Sequence, residues 1–278
     1  MFFQSYTPGR PLGDFVHNIW LAETCAPPHL KERIAPTGTI ELVINLADDE
    51  LRIYGSSEPS FNTFSGALVS GTYSGYFVID TQEERSVMGV HFNPGGAFPF
   101  LGVSPEELAN QHVDLDTLWG RSARDLRERL CEPSAPAARF RILEEALLDH
   151  LFLPLERHPA TSVALDSFEQ PCAFPPVREI ARRTGLSERR LIRVFAADVG
   201  LTPKLFSRIQ RFQRALALTN QAKCSPDWAT LALTCGYFDQ SHLINDFVEF
   251  SGFSPGTYLS QLRKHGLYQR RNHLPLFA

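Results

Sequence analysis

Residues 228–255 read WATLALTCGYFDQSHLINDFVEFSGFSP, the pattern of two short helices joined by a tight turn. Gly236 stands where a glycine ends a first helix in the left-handed conformation, and Asp239 is a candidate N-cap for a second helix. Four further positions are expected on the buried faces of these helices: Leu231, Ala232, Leu243 and Phe247. The spacing predicts a helix-turn-helix unit.

Residues 177–203 read VREIARRTGLSERRLIRVFAADVGLTP and repeat this pattern with one residue fewer in the turn. Gly185 is the expected helix end and Ser187 the expected cap. A single unit is also compatible with an ordinary helical hairpin that has a polar outer face. Two copies in one register favour a pair of helix-turn-helix units over that alternative.

The charge of the chain differs between its two ends. Residues 171–278 contain 15 Lys and Arg against 7 Asp and Glu, whereas residues 1–170 contain 12 against 24. A basic segment attached to an acidic one suggests that one end meets a polyanion. A solvated basic face without a partner explains the charge equally well, so the repeat has to decide between these two interpretations.

The second helix of each predicted unit has polar residues at its exposed positions. In the first unit these are Glu188, Arg189, Arg190 and Arg193, and in the second Gln240, Ser241, His242 and Asn245. Arginine suits guanine edges and phosphates, and the second set can form hydrogen bonds. A connecting helix is predicted from Thr202 to about Asn220. Its outer face carries Lys204, Arg208, Arg211 and Arg214, of which Arg208 and Arg211 are predicted DNA contacts. At about 1.5 Å per residue it spans roughly 27 Å, which suits successive major grooves about 34 Å apart.

The N-terminal half has the alternating apolar pattern of β-strands, predicted at residues 39–46, 51–54, 76–80 and 86–92. Helices are predicted to begin at Ser104–Leu108 and to follow at residues 118–131 and 137–153. The predicted fold is α+β: a β-rich, barrel- or sandwich-like domain with trailing helices at 1–153, a proline-rich linker at 154–176, and an all-α double helix-turn-helix domain at 177–262. Residues 263–278 form a basic tail that could add phosphate contacts and is expected to be frayed.

Several function classes find no support in the sequence. No apolar run is long enough to span a membrane, and the first residues lack the pattern of a signal peptide, so a cytoplasmic protein is expected. The cysteines and histidines lack metal-ligand spacing, and no nucleophile elbow or phosphate-binding loop is present. We therefore expect no metal, no cofactor and no enzymatic activity.

Four N-terminal residues are candidates for a ligand pocket: Trp20, Glu41, Asn45 and His91. Glu41 and Asn45 share one face of a predicted strand and would form a polar pocket wall if that face lines a barrel. If the face is turned to water, both are ordinary outward-facing residues, which is the commoner case in antiparallel sheets. Burial preference favours Trp20 as a core residue over a ligand platform.

Residues 177–258 resemble the AraC/XylS-type DNA-binding domain. The resemblance covers both helix-turn-helix units and is most specific at Gly236–Leu243 and Gly252–Pro255. It implies a seven-helix domain that binds promoter DNA and reads bases through Arg189, Ile192 and Arg193 in the first unit and Gln240, Ser241 and Asn245 in the second. The family usually has a basic residue where Asn245 stands, and often where Val248 and Glu249 stand. We therefore expect the first unit to supply most of the affinity.

Residues 1–150 resemble the N-terminal domain of one subgroup of these regulators, through segments that include Pro36–Leu46 and Gly89–Ala97. This resemblance suggests a sensor domain by analogy of fold alone. The leading hypothesis is a bacterial, ligand-responsive transcription regulator with double-stranded DNA, a small effector, RNA polymerase and a second copy of the chain as partners. The leucines between Ser122 and Leu153 fit either a dimer contact or the domain core. An enzyme or binding protein with structural C-terminal helices and an architectural or RNA-binding protein are the alternatives.

Overall fold

The computed structural model describes residues 2–24, 31–56, 60–81, 85–169, 175–222, 226–265 and 273–276. The chain has the predicted α+β organisation, with two antiparallel sheets and trailing helices followed by an all-helical part. The described strands form two open sheets rather than one closed barrel. Within these residues, no helix is both long and apolar enough to cross a membrane.

The first sheet has six strands in the order β1-β2-β9-β4-β7-β10, all paired antiparallel. They are β1 Phe2–Tyr6, β2 Val16–Glu23, β4 Glu41–Asn45, β7 Ala67–Ser70, β9 Ser86–Phe92 and β10 His112–Asp114. The central strands are rich in buried β-branched and leucine side chains, which suit a pleated sheet face. One face of this sheet builds the main N-terminal core.

The second sheet has five strands in the order β11-β3-β8-β5-β6. They are β3 Lys31–Ile34, β5 Glu50–Tyr54, β6 Phe61–Ser65, β8 Phe77–Asp80 and β11 His273–Leu276. Strand β11 comes from the predicted basic tail and pairs antiparallel with β3. The expectation of a frayed end is therefore wrong for residues 273–276, because their backbone groups extend the sheet and Leu274 is buried. Residues 266–272 lie outside the described part of the chain.

Four helices come after β9 in the chain and cover the six-stranded sheet: α1 Phe98–Leu101, α2 Leu115–Trp119, α3 Arg121–Cys131 and α4 Pro136–Asp149. The helix start predicted at Ser104 is wrong. Residues 105–110 form successive turns, and Asn110 has a φ of 57° and donates its N–H to Thr72 O at 2.9 Å. The helix predicted over 118–131 is divided at Gly120, whose φ is 60°.

The helix predicted over residues 137–153 ends earlier, at Asp149, and the leucine stripe predicted along it is only half buried. Leu143 and Leu147 belong to the N-terminal core, whereas Leu148 and Leu151 are exposed. The burial of the first two side chains supports the core interpretation of the stripe. A dimer contact through the exposed Leu148 and Leu151 is kept as a proposal.

The predicted linker contains a helix, α5 Pro159–Glu169. Its side chains Ala160, Ala164 and Phe168 are buried in the C-terminal helical core, and Thr161 Oγ1 donates to Asp198 Oδ2 at 2.6 Å. Proline at the start of a helix is favourable because the first N–H has no intrahelical partner. The C-terminal helical part therefore begins before residue 177, with helix α5.

Six further helices complete that part: α6 Val177–Thr184, α7 Glu188–Val199, α8 Pro203–Gln221, α9 Trp228–Thr234, α10 Gln240–Ser251 and α11 Pro255–His265. The connecting helix α8 begins at the predicted cap, with Thr202 Oγ1 accepting from Leu205 N at 3.3 Å. Its buried residues Ile209, Phe212 and Leu216 form the centre of a core shared by all six helices and α5.

Candidate nucleic-acid interface

The first helix-turn-helix unit is built from α6 and α7. Helix α6 ends at Gly185, whose φ of 70° is in the left-handed region, and Ser187 Oγ accepts a hydrogen bond from Arg190 N at 3.3 Å. Both features confirm the sequence prediction. The four apolar residues that join the two helices are all buried: Ile180, Ala181, Leu191 and Phe195.

The second unit, built from α9 and α10, has the same construction. Gly236 has a φ of 82°, and Asp239 Oδ1 accepts from His242 N at 2.8 Å. The corresponding apolar residues are again buried: Leu231, Ala232, Leu243 and Phe247. We call α7 and α10 the recognition helices, because the second helix of such a unit is the one that enters the major groove.

The two turns differ by one residue, and the backbone shows which residue is extra. Leu186 N donates to Ala181 O at 3.1 Å in the first unit, and Tyr237 N donates to Ala232 O at 2.9 Å in the second. Tyr237 thus occupies the place of Leu186 and is buried. Phe238 is the additional residue, and 83% of its surface is exposed.

The predicted base-reading side chains are displayed at the surface. All of the residues predicted on the recognition helices and at the first cap are exposed: Ser187, Glu188, Arg189, Arg190, Ile192, Arg193, Gln240, Ser241, His242 and Asn245. Three of those in the first unit are arginines, and those in the second are uncharged unless His242 is protonated. Their contacts with DNA remain a prediction.

Arg208 and Arg211, the other predicted DNA contacts, bind within the protein. Arg208 Nη2 lies 2.7 Å from Asp246 Oδ1 and 2.5 Å from Glu249 Oε2. Burial lowers the pKa of Arg208, but the hydrogen bonds to Glu249 and Asp246 outweigh it and raise the pKa. Arg211 Nη1 donates to Gly236 O at 3.2 Å, and its guanidinium lies over the Tyr237 ring. Both arginines therefore connect α8 to the second unit.

Asp246 is a structural residue that the sequence reasoning did not include. It is 7% exposed and lies on the buried face of α10 beside Phe247 and Phe250. An acid flanked by buried aromatics indicates a fixed partner, since an isolated buried carboxylate is costly. That pattern could have identified the ion pair with Arg208.

The sheet domain contacts the C-terminal end of both recognition helices. At the first, Ser104 Oγ donates to Ala197 O at 2.9 Å, and Gly200 packs so closely that an added Cβ would lie 2.8 Å from Pro105 O. At the second, Arg33 Nη1 donates to Gly252 O at 3.1 Å and to Ser251 O at 3.4 Å. Arg33 also lies over the ring of Phe253. The relative placement of the two helices therefore depends on the sheet domain as well as on α8.

The candidate pocket residues are only partly brought together. Trp20 Nε1 donates to Glu41 Oε1 at 2.8 Å, and His91 Nδ1 lies 3.3 Å from the same oxygen. Burial raises the pKa of Glu41, but His91, His273 and the hydrogen bond from Trp20 together outweigh it, so the net pKa is lowered. Asn45 lies apart, fully buried, and its Oδ1 accepts from the N–H groups of Ala47 and Asp48 at 3.0 Å. Asn45 therefore stabilises a turn.

A cavity of about 180 Å³ lies where this cluster meets the connecting helix. Thr37, Thr39 and His91 line its sheet side, and Gln210 and Gln213 of α8 line the other. A second cavity of about 330 Å³ lies against α5 and α8. Three residues line both cavities: Asn93, Pro94 and Gln210. We call the two together the seam cavity.

Two amide hydrogen bonds from α8 cross the seam between the helix and the sheet domain. Gln213 Nε2 donates to Pro36 O at 2.8 Å, and Gln210 Nε2 donates to Thr37 O at 3.0 Å. These bonds join α8 directly to the segment that precedes β4. A molecule in the seam cavity would contact the sheet domain and the connecting helix together.

Two family models match separate parts of the chain. Residues 180–261 match a family described as a helix-turn-helix domain, and residues 4–114 match a domain of unknown function (DUF6597). No curated protein matches the chain. The class defined by the fold is thus a double helix-turn-helix protein with an N-terminal β-rich domain. More particularly, its C-terminal domain resembles the AraC type in sequence, and the helix-turn-helix match over residues 180–261 agrees with that resemblance.

Several solved structures are similar to parts of the chain. The DNA-binding domain of AdpA, solved with a target DNA, is 24% identical with a TM-score of 0.35 and covers 38% of this chain and 94% of its own. A transcriptional regulator from Chromobacterium violaceum is 25% identical with a TM-score of 0.34 and covers 39% and 96%. ToxT from Vibrio cholerae is 9% identical with a TM-score of 0.47 and covers 94% and 98%.

Proposed function

We propose that this protein is a sequence-specific DNA-binding transcription regulator that acts in the cytoplasm and responds to a small molecule. One observation carries the proposal: a single chain presents two capped recognition helices of equal length, each with exposed side chains able to contact bases. The AraC-type match over residues 180–261 agrees with it.

The length of α8 suits simultaneous binding by both units. Its 19 residues extend about 28 Å at about 1.5 Å per residue, which is close to the roughly 34 Å repeat of the major groove. One chain could therefore contact two half-sites on one face of the duplex. Dimerisation through the exposed Leu148 and Leu151, and contact with RNA polymerase, would add to this binding without being required for it.

The smaller part of the seam cavity is the proposed effector site, since charged residues, Asp14, Arg157 and Asp166, line the larger part. The polar side chains that line the smaller part are hydroxyls, amides and imidazoles, with no Lys, Arg, Asp or Glu among the described lining residues. This lining suits a small uncharged molecule with several hydroxyl or amide groups. An effector changes the population of the DNA-competent state only if its affinity differs between the two states. The contacts of α8 with Pro36 and Thr37 provide a place where that difference could arise.

We assign the sheet domain a binding role rather than a catalytic one. The serine and histidine that contact each other there are Ser70 and His112, with Ser70 Oγ 3.2 Å from His112 Nε2. Burial lowers the pKa of His112 to about 3, and Tyr73 rather than a carboxylate binds its other ring nitrogen. Such an imidazole is a weak general base at neutral pH.

The test uses the full chain, because α5 and strand β11 tie the helical part to residues outside 177–262. Bound duplexes are selected from a randomised library, and affinities for the winners and for scrambled duplexes are measured across a salt series. We expect two half-elements about one helical turn apart and a preference of about a thousandfold. Sequence-blind binding that disappears with salt, or no binding at all, would contradict the proposal.

The effector proposal is tested separately on the selected site. Neutral polyols, sugars and amides are screened for a change in DNA affinity, with charged analogues alongside. The change Thr39→Val leaves the bonds of Gln213 and Gln210 to Pro36 and Thr37 in place. It is expected to abolish the response and to leave effector-free DNA binding within about twofold. A response that survives this change would place the effector elsewhere.

A further inference from the structure

We propose that Phe238 reads the 5-methyl group of a thymine in the half-site bound by the second unit. This inference rests on the proposed DNA-binding function and adds a residue outside the predicted base-reading set. It starts from the single insertion that distinguishes the two turns.

The insertion leaves Phe238 without a place in the core. In the first unit, the residue before the cap is Leu186, which packs partly buried against the helical core. In the second unit, Tyr237 takes that place and the cap follows only at Asp239. Phe238 is therefore turned outward, and its exposed fraction of 83% is far above the 37% of Ile192.

The usual explanation for an apolar residue at this position does not apply. An apolar residue directly before an N-cap often packs on the fourth residue of the helix. That residue is Leu243, which is fully buried in the core. The ring of Phe238 instead lies edge-on to the exposed His242, with ring centroids 6.1 Å apart. A phenyl group of this exposure is unfavourable in water.

The location of Phe238 points to DNA as the occupant. It directly precedes the N-terminus of α10, the end of a recognition helix that faces base edges. Gln240 and Ser241, the predicted base-reading residues, follow one helical turn or less away. A phenyl ring can read only one group in the major groove, the methyl of thymine, because the other base-edge groups form hydrogen bonds.

The chemistry of the second unit agrees with an apolar contact. Its exposed recognition residues bear no Lys or Arg within the described α10, and Arg208 is bound to Asp246 and Glu249. Affinity gained from a methyl contact is independent of counterion release. The second unit would thus recognise its half-site by shape and apolar contact, with little salt dependence.

The experiment uses the full chain and its selected operator. Each thymine of the second half-site is replaced in turn by 2′-deoxyuridine, which lacks only the methyl group. We expect one replacement to weaken binding roughly fourfold, the value for burial of one methyl-sized group. The same replacement should have no effect on the Phe238→Ala variant, and the salt dependence of binding should be equal for both proteins.

Leu233→Ala is the matched control. Leu233 is also apolar and 67% exposed in the second unit, but it lies on α9 rather than at the start of the recognition helix. Its removal should leave the uridine effect unchanged. Equal Tm values for the three proteins would show that each is folded.

Three results would overturn the inference. They are a second half-site without a methyl-dependent thymine, a uridine effect that persists in Phe238→Ala, and normal operator binding by that variant. The last result would favour a protein partner for the exposed ring. Failure of the wild-type chain to select any site would contradict the proposed function itself, which is a distinguishable outcome.

Discussion

The two helix-turn-helix units share a backbone and differ in their electrostatics. Both recognition helices contain 12 residues, begin at a side-chain cap and end at a left-handed glycine. The first displays three arginines, whereas the second displays neutral polar side chains and has an acid, Asp246, on its inner face. The position equivalent to Asp246 in the first unit is Val194. The two copies therefore share the cap and glycine positions that fold the unit, and they differ in the exposed side chains available for binding.

The C-terminal glycines of the recognition helices should give the largest difference between the units. An added methyl at Gly200 would approach the backbone oxygen of Pro105, whereas at Gly252 it would approach the movable side chains of Arg33 and Tyr76. We expect Gly200→Ala to lower the free energy of unfolding by about 3 kcal/mol and Gly252→Ala by about 1.5 kcal/mol. Urea denaturation measures both.

Gly185→Ala is the control for backbone strain alone, since an added Cβ there would meet no atom within 4 Å. It should cost about 1 kcal/mol. Equal losses for Gly200→Ala and Gly252→Ala would show that the sheet domain contacts both helices with similar rigidity.

Removal of the Arg208–Asp246 ion pair of the second unit should give the next largest loss of stability. Asp246→Ala leaves Arg208 with Glu249 alone, and it should cost about 2 kcal/mol, between the values typical of exposed and of buried pairs. Val194→Ala, the equivalent change in the first unit, should cost less than about 1 kcal/mol. A larger loss for Val194→Ala would reverse the assignment of structural roles.

DNA affinity should show the opposite asymmetry. Arg193→Ala should weaken operator binding about tenfold, because a guanidinium contact to guanine or phosphate is lost, and Asn245→Ala about threefold. Fluorescence anisotropy at several salt concentrations measures the operator affinity of both variants. If Asn245→Ala proves the more damaging, the first unit is not the main source of affinity.

The N-caps of the two recognition helices should give the smallest difference in stability between the units. Asp239→Ala removes a charged acceptor at 2.8 Å from the start of α10, and Ser187→Ala a neutral one at 3.3 Å from the start of α7. We expect costs of about 1 kcal/mol and about 0.5 kcal/mol, since an anion also interacts favourably with the helix dipole. Chemical denaturation measures both losses. The difference between them should be smaller at high salt than at low salt, because salt screens the charge of Asp239.

Local signals explain why the helical units could be predicted. Glycine and cap positions such as Gly185 and Ser187 act within one turn of the chain, so their effect is visible in the sequence. Helix α5 was missed because prolines surround it, although Ala160, Ala164 and Phe168 recur at helical spacing. The helix expected at Ser104 fails because the hydrogen bond from Asn110 to Thr72 joins this segment to the end of β7.

The seam cavity and strand β11 depend on contacts that no local pattern reveals. Gln213 binds Pro36, and β11 pairs with β3, across most of the length of the chain. The pocket prediction was correspondingly partial. Adjacent strands bring Trp20, Glu41 and His91 together, but of the four candidates only His91 lines the cavity. Trp20 is buried in a small apolar cluster, Asn45 serves a turn, and the second wall of the cavity is formed by α8.

Strand β11 also sets an order of events during synthesis. Domains generally form as the chain emerges, from the N-terminus onward. The edge of β3, however, acquires its neighbour only when residues 273–276 have left the ribosome. Until then an unpaired strand edge is available to other chains. A nascent chain stalled inside the second helix-turn-helix unit should therefore aggregate more readily than a chain that has released residues 273–276, because its second sheet still lacks the edge strand β11.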